Sequence, residues 1–581
     1  MFIYGDISRS ARNIRQAIYD GPYDLVNFDL SPVILLEKPS LENRAALIEP
    51  VTVQVGNLIV TSDGKIASLG EGVLYRPAGC SQPGCALIYS GAALVQLDQL
   101  VVRFRLREGL AWSDGTPLTA DDSIYSFEVA SNLYPMARPD LIAHTASYNA
   151  LDAVTIEWRG LPGYMDAAFA GNFFTPLPRH AWGNILPQDL LSNQSVTRTP
   201  LGWGPYIIEE WIAGDHLTLK KNPGYFRSGE GLPSFDSLVF RFVPDPDQAL
   251  NALLAGECDI LDETIGLEAQ SARLLELQSK GQLKAAFQTG AAWEHLEFGI
   301  QPYVSAGSEP PVALFEMKET RQAVALCLDR QKLVDELMLG QSVVPDSYIL
   351  PNHPFYNDQV RQYPYDPQAA NALLDAVGWL DQDGDSLTPR LSQAVPGVPD
   401  GAPFQVDFLT TDEAEKLRAA EIIQASLAQC GIQVNIQSNP WETFYASGPE
   451  GALFGRHFSL AQFAWEAALQ PPCYLYTTSE IPGPYPEFPK GWGGANASGY
   501  SNPEYDRLCE QASTVLSGGA GQIEAHHQAQ ALFAEDLPAL PLYFRLKVAV
   551  MRPALCGLGL DSFSDSALWN LESYSFGADC P

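Results

Sequence analysis

Tryptophan and glutamate stand side by side at two places in the second half of the chain, and these pairs are candidates for binding a solute. Trp441 and Glu442 follow the apolar segment 432–436, and Trp465 and Glu466 follow a second apolar segment, 458–462. An indole ring stacks on sugar rings and other flat solutes. The spacing predicts an aromatic site beyond the ends of two strands.

Two further tryptophans, Trp203 and Trp293, are candidates for the same aromatic cavity. Ordinary core packing is the alternative for all four tryptophans, because large aromatic side chains are mostly buried in any globular protein. The sequence leaves both interpretations open.

Motifs of covalent or metal chemistry are missing from the sequence. There is no nucleophile elbow, P-loop, dinucleotide fingerprint or H-E-x-x-H pair. Residues 381–385 resemble the start of a calcium loop but are followed by serine at the sixth and twelfth positions. We expect a turn rich in aspartate there and leave calcium binding open. His526 and His527 are expected on a surface helix, and no cofactor, metal site or catalytic residue is predicted.

Composition predicts a globular, multidomain protein. The 581 residues are 46% hydrophobic and 18% charged, and no run of about 18 apolar residues exists. The net charge of −34 argues against nucleic acid and anionic membranes as partners, since both would repel it. It fits simple solubility or attraction of cationic solutes. Residues 1–30 contain no apolar signal core, so an exported protein would be present here without its leader.

Nine cysteines predict an oxidising compartment. Cys80 and Cys85 flank a Ser-Gln-Pro-Gly turn and are the favoured disulfide. Two other pairs are possible, the second less strongly indicated: Cys556 with Cys580 and Cys473 with Cys509. Three cysteines in apolar, regular segments are expected to be buried free thiols: Cys258, Cys327 and Cys430.

The segment 101–127 is the most distinctive stretch of the sequence. Apolar and arginine residues alternate over 102–107 as in a half-buried strand, and Ser113–Pro117 is a turn cluster. Thr119 and Asp122 then have the spacing of a helix-capping pair. The motif F-x-LR-x-G-x-x-WSDGTPLTADD closely resembles the signature of the family 5 solute-binding proteins of ABC transporters, the receptors for peptides, nickel and oligosaccharides.

The resemblance extends from about residue 50 to 550. It includes the GPY turn and the NPGYF loop between 204 and 226, the Asp-Pro helix start at 245, and the R-Q-A…D-R-x-x-L-V helix at 321–334. It implies an α/β fold of the two-lobed periplasmic-binding-protein type II class (cluster C). Lobe I is expected at 1–287 with a β-rich subdomain at about 40–185, lobe II at 288–537, and a return to lobe I at 538–581. Crossings near 288–291 and 538–541 are expected to form the hinge.

The family also implies where the solute binds. In its peptide-binding members, tryptophans at the places that match Trp441 and Trp465 line the cavity, and a carboxylate three residues after the second pairs with the peptide ammonium. This chain has Ala468 at that place. Glu466 is nearby, but in a strand its side chain faces away from that of Trp465.

The resemblance therefore implies a monomeric extracytoplasmic receptor, periplasmic or lipid-anchored, that closes on a solute and delivers it to an ABC permease. An oligopeptide is the expected ligand on family frequency. An oligosaccharide or other aromatic-stacked solute is the alternative, and a nickel chelate ranks third. An extracellular hydrolase is a remote rival from another class, since two lobes around a cleft would suit it too.

Overall fold

The computed structural model describes residues 1–5, 8–80, 85–91, 94–134, 137–304, 312–385, 387–515 and 520–577. Within them, helices and strands are mixed along the chain, as expected for an α/β protein. None of the helices in these ranges combines the length and apolar character needed to cross a bilayer.

The first third of the chain is rich in short antiparallel strands. Its elements are α1 Arg9–Tyr19, β1 Tyr23–Val26, β2 Asp29–Pro32, β3 Ala46–Val53, β4 Leu58–Val60, β5 Ile66–Ser68, β6 Leu74–Tyr75, β7 Leu87–Ile88, β8 Val95–Arg105, α2 Ala120–Leu133, α3 Pro139–His144, β9 Thr145–Ala150, β10 Thr155–Gly160, α4 Arg179–Trp182 and α5 Gln194–Thr197. Strands β3, β8, β10 and β9 form one sheet in that order. The sheet lies inside the segment that the sequence predicts to be β-rich.

The turn and the capped helix start predicted between Ser113 and Asp122 form as the sequence indicates. The Asp122 carboxylate accepts a hydrogen bond from the backbone N–H of Thr119 at 2.9 Å, which starts α2 with a capping box. It also accepts one from the indole N–H of the fully buried Trp112 at 3.1 Å. Trp112 therefore fixes the entry to α2 from inside the core.

The chain continues with a meander and a strand–helix–strand unit. These elements are β11 Tyr206–Ile212, β12 His216–Lys221, β13 Ser237–Arg241, α6 Pro246–Ala255, β14 Ile260–Leu261 and α7 Ser271–Ser279. Asp245 caps α6 by accepting from the N–H of Gln248 at 2.8 Å, and Gly256 ends it at φ 78°. Both helix ends were expected from the sequence.

The remaining elements build the second half of the molecule. They are β15 Lys284–Phe298, α8 Lys318–Cys327, α9 Arg330–Leu337, α10 Pro367–Val377, β16 Trp379–Leu380, β17 Leu391–Ser392, β18 Gln405–Thr411, α11 Ala414–Ala428, β19 Gln433–Asn439, α12 Trp441–Phe444, β20 Leu460–Glu466, α13 Pro503–Thr514, α14 Ala520–Asp536, β21 Ala539–Met551, β22 Leu555–Cys556 and β23 Ser575–Phe576. The single helix expected over 321–334 is two helices, because the Asp329 carboxylate caps a new helix at the N–H of Lys332.

A six-stranded sheet in the order β14-β21-β15-β20-β18-β19 joins the two halves. Strand β18 is parallel to β19 and to β20, and α11 crosses between β18 and β19 as predicted. Strands β15 and β21 pair along their length, from Lys284 opposite Met551 to Glu297 opposite Ala539. This pairing includes both places where the chain is expected to cross between the lobes. Their register slips between Thr289 and Trp293, so the pairing is locally irregular there.

Disulfides correct one expectation. Cys80 pairs with Cys85, the favoured pair, and Cys473 pairs with Cys509, the less strongly indicated possibility. Cys258 is free as expected, but it is only half-buried. Cys327 and Cys430, expected to be free thiols, are bonded to each other. The contact of α8 with α11 brings the end of one helix to the turn after the other, which sequence spacing does not reveal. The expected partner of Cys556, Cys580, lies outside the described residues.

Candidate functional site at the junction of the predicted lobes

One edge of the six-stranded sheet collects the residues that can contact a solute. The parallel strands β18, β19 and β20 end there with Thr411, Asn439 and Glu466. Because Glu466 pairs with Ala292 of β15, and Trp293 pairs with Phe544 of β21, the two long strands pass through the same edge. The carboxyl ends of parallel strands are where open α/β sheets bind ligands.

Trp441 presents an exposed ring at this edge. Pro440 ends β19, and α12 begins at Trp441, whose side chain remains 59% exposed. Its ring contacts that of Tyr445 at 5.3 Å between centroids, and Glu442 beside it is exposed. An exposed tryptophan supported by a second aromatic ring is a ready stacking surface.

Trp465 lies inside β20 and is half-buried. Its ring packs on Phe463 at 5.5 Å, and its indole N–H has no hydrogen-bond partner among the described residues. Glu466 and Ala468 are exposed. Strand β20 therefore places Trp465 and Glu466 on opposite faces, as the alternation of a strand requires.

Trp203 and Trp293 do not join this group. Trp203 is 1% exposed and packs on Tyr19 and Trp112 in the core of the N-terminal half. Trp293 is fully buried against Tyr348 and other core side chains. The structure thus corrects the expectation of one cavity shared by all four tryptophans, since core packing occupies the faces of these two rings.

Glu294 and Arg545, which no sequence motif singles out, form an ion pair at the same edge. Arg545 donates from Nε to Glu294 Oε1 at 2.8 Å and from a terminal guanidinium nitrogen to the same oxygen. The Glu294 side chain is 0% exposed, whereas that of Arg545 is 40% exposed. Glu294 Oε2 has no hydrogen-bond partner among the described groups. The one sequence signal of this ion pair is the presence of two glutamates in the strand segment 293–298.

Two more carboxylates face Arg545 from either side of the junction. Glu415, in the first turn of α11, accepts a hydrogen bond from the Tyr543 hydroxyl at 3.3 Å. Glu268 lies in the short turn before α7. Burial raises the pKa of both carboxyls, Glu294 raises that of Glu415 further, and Arg545 lowers both. Since residue 268 belongs to predicted lobe I and residue 415 to predicted lobe II, the charged groups come from both sides.

Tyr445 links the aromatic and the charged parts of the edge. The Lys416 ammonium lies 5.9 Å from the centroid of the Tyr445 ring. Burial, together with the nearby Glu294 carboxylate, raises the pKa of the Tyr445 hydroxyl. The edge therefore combines an exposed indole with charges of both signs. Such a surface suits a solute that has flat or apolar parts and polar ends.

Metal binding finds no support in the described part of the chain, where no group of three or more ligating side chains is close enough to hold an ion. In the aspartate-rich turn, Asp381 accepts hydrogen bonds from the N–H groups of Asp383 and Gly384. These bonds make the predicted turn.

The expected surface position of His526 is wrong. His526 is buried, with its ring 4.8 Å from that of Phe355, while His527 is partly exposed. Burial lowers the pKa of His526 to about 4. The imidazole is therefore neutral at physiological pH, and it faces the core because α14 presents this side to the loop before α10.

Comparison with known proteins agrees with this architecture. The family model described as bacterial extracellular solute-binding proteins, family 5 (middle), matches residues 93–484. The oligopeptide-binding protein AppA of Bacillus subtilis is 25% identical over 489 residues, 81% of this chain and 80% of that protein. The nickel-binding periplasmic protein of Escherichia coli is 25% identical over 377 residues, 64% of this chain and 66% of that protein.

Solved structures share the two-lobed fold. That of AppA from Bacillus subtilis in complex with a nonapeptide has a TM-score of 0.57 and 21% sequence identity, and the match covers 90% of this chain and 93% of that one. At this identity the likeness concerns the fold.

Proposed function

The chain belongs to the bacterial extracellular solute-binding proteins, family 5, and we propose that it is the oligopeptide receptor of an ABC importer. It encloses the peptide between two lobes and presents the closed form to a membrane permease. Closure buries the ligand, so binding shifts the population of conformations toward the closed state.

One observation carries the proposal: the edge where β18, β19 and β20 end is lined from both predicted lobes. The exposed Trp441 and the half-buried Glu415 come from one side and Glu268 from the other, with Arg545 between them. A peptide offers what this surface can hold, namely apolar side chains, backbone polar groups and two charged ends. The relationship to AppA, an oligopeptide-binding protein, supports the same ligand class.

An oligosaccharide is the second candidate, favoured by one specific feature. Ala468 stands where peptide-binding relatives are expected to have a carboxylate for the peptide ammonium. An ammonium enclosed there without a partner when the lobes close costs several kcal/mol. Sugar rings stacked on Trp441 need no such partner.

Native mass spectrometry of the protein as purified identifies an enclosed solute directly. Tryptophan fluorescence then separates the two classes. Peptide pools of two to nine residues should change the emission of the wild type, whereas cello- and xylo-oligosaccharides should not. The opposite pattern would replace the peptide proposal with the sugar one.

Matched variants test which residues bind the peptide. Trp441→Ala should weaken peptide binding at least tenfold, because it removes the exposed ring. The control Trp211→Phe changes a tryptophan in β11 that stacks on Arg198, away from this edge, and should leave the affinity unchanged. Ala468→Asp should strengthen binding of peptides with a free amino terminus relative to N-acetylated ones. Equal affinity of Ala468→Asp for both would place the peptide ammonium elsewhere.

A further inference from the structure

The tip of the β1–β2 hairpin has an unusual backbone. Val26 pairs with Asp29, so Asn27 and Phe28 form a two-residue turn, with φ of 53° and 58°. Turns of this kind need positive φ at both positions and favour Asn-Gly, since a Cβ is crowded there. A phenylalanine in the second position is a steric outlier. Such outliers persist where the surroundings hold them, and they cluster at functional places.

The packing of the Phe28 ring explains why the turn tolerates a phenylalanine at this position. Although the hairpin belongs to the N-terminal half, the ring is 4% exposed and lies between two other rings. His353, from the loop between α9 and α10, is 4.6 Å away between centroids, and Phe563, from the C-terminal segment, is 5.4 Å away. Phe28 thus extends from predicted lobe I to a residue of predicted lobe II.

The lobe I side of this contact is anchored beside the long strands. The N–H of Asn27 donates to the Asp561 carboxylate at 2.9 Å. Lys547 of β21 donates to the carbonyl oxygen of Asp561 at 3.0 Å, and Gln288 of β15 donates to the Ser562 hydroxyl at 2.8 Å. The hairpin tip is therefore fixed to the strands that connect the lobes, while its ring contacts the opposite lobe.

The lobe II side adjoins the loop that follows Trp465 and Glu466. His353 Nδ1 accepts a hydrogen bond from the N–H of Phe355 at 3.1 Å, so the neutral ring carries its proton on Nε2. The carbonyl groups of Ala468 and Leu469 are close enough to raise the pKa of His353, but burial outweighs them and lowers it to about 4. His353 thus lies between the hairpin tip and the loop that contains Ala468.

We infer that Phe28 and His353 form an interlobe latch: Phe28 seats on His353 when the lobes close and releases it when they open. His353 is a positioning residue in this latch, since it also abuts the backbone of 468–469 next to the proposed solute site. The inference rests on the proposed function in so far as closure is what the latch controls. It assigns to the strained hairpin the role of holding the closed form.

Phe28→Gly is the decisive variant, because glycine suits the positive φ and leaves the hairpin intact while deleting the ring. Small-angle X-ray scattering of the protein without added solute should show a larger radius of gyration for Phe28→Gly than for the wild type. With a randomised pentapeptide pool, stopped-flow tryptophan fluorescence should show dissociation at least tenfold faster. His353→Ala should reproduce both effects from the other lobe.

A matched control removes an aromatic ring that stays within one lobe. Phe576 is half exposed and contacts Phe235, so Phe576→Gly should leave scattering and dissociation unchanged. Unchanged scattering and dissociation in both Phe28→Gly and His353→Ala would overturn the latch. If the variants open but no peptide binds the wild type, the latch stands and the proposed ligand is wrong. If Phe28→Gly does not fold, His353→Ala alone decides.

Discussion

Replacement of Arg545 by methionine should destabilise the protein far more than replacement of its partner Glu294 by glutamine. The pair is asymmetric: Glu294 is 0% exposed and Arg545 is 40% exposed. In Arg545→Met, the carboxylate keeps its burial and loses both donors on Oε1, while Oε2 has no partner among the described groups to compensate. Removing one partner of a buried pair costs about 3–5 kcal/mol in the free energy of unfolding.

Glu294→Gln leaves the charge on the partner that reaches water. The guanidinium can hydrate, and the neutral amide can still accept a hydrogen bond, so the expected loss is about 1–2 kcal/mol. The double variant should recover about 2 kcal/mol of the loss caused by Arg545→Met, because no buried charge remains. Urea unfolding followed by circular dichroism measures all three values.

Arg552→Met is the control, since the Arg552–Asp259 pair just beyond β21 is exposed and should contribute less than about 1 kcal/mol. Equal losses of stability from Arg545→Met and Glu294→Gln, or additive losses in the variant that combines them, would refute this reasoning.

Three further predictions concern other parts of the molecule. Replacing Cys327 and Cys430 together by alanine should lower the free energy of unfolding by about 4 kcal/mol, because their bond closes a loop of 103 residues; the test is the urea midpoint of the variant against the oxidised wild type. Burial raises the pKa of Asp24 from its ordinary 3.8 to about 7, so the cost of burying its charge is complete above about pH 7 and shrinks as pH falls toward 3.8; Asp24→Asn should raise the melting temperature much more at pH 8 than at pH 4.5. Trp203→Ala should lower the melting temperature by several degrees without changing the peptide affinity per folded molecule, the reverse of Trp441→Ala, and calorimetry with peptide titration separates the two.

Local chemistry made much of the fold predictable. The α11 crossover between parallel strands follows from two apolar segments flanking a helical pattern, and the α2 and α6 starts follow from capping residues. The Cys80–Cys85 bond follows from the short distance of five positions between the two cysteines in the sequence. Each of these features depends on residues close together in sequence, where steric and hydrogen-bonding preferences decide.

Features that depend on distant residues were not predictable. The Cys327–Cys430 bond needs α8 to pack on α11, and the Glu294–Arg545 pair joins residues 251 positions apart. Hydrophobic patterning also failed to separate the exposed Trp441 from the buried Trp203, because a tryptophan has the same sequence signal in a core and at a binding surface.

Three departures from local rules meet at the junction of the predicted lobes. Phe28 has positive φ, Glu294 is a fully buried acid within a strand, and β15 slips in register beside Gly290, where a Cβ would lie 3.2 Å from the carbonyl oxygen of Arg545. Natural sequences keep such conflicts mainly where function requires them. A protein with one rigid core would gain stability by removing each of them. Their concentration where two long strands cross from one half of the molecule to the other supports this junction as the place where the lobes move.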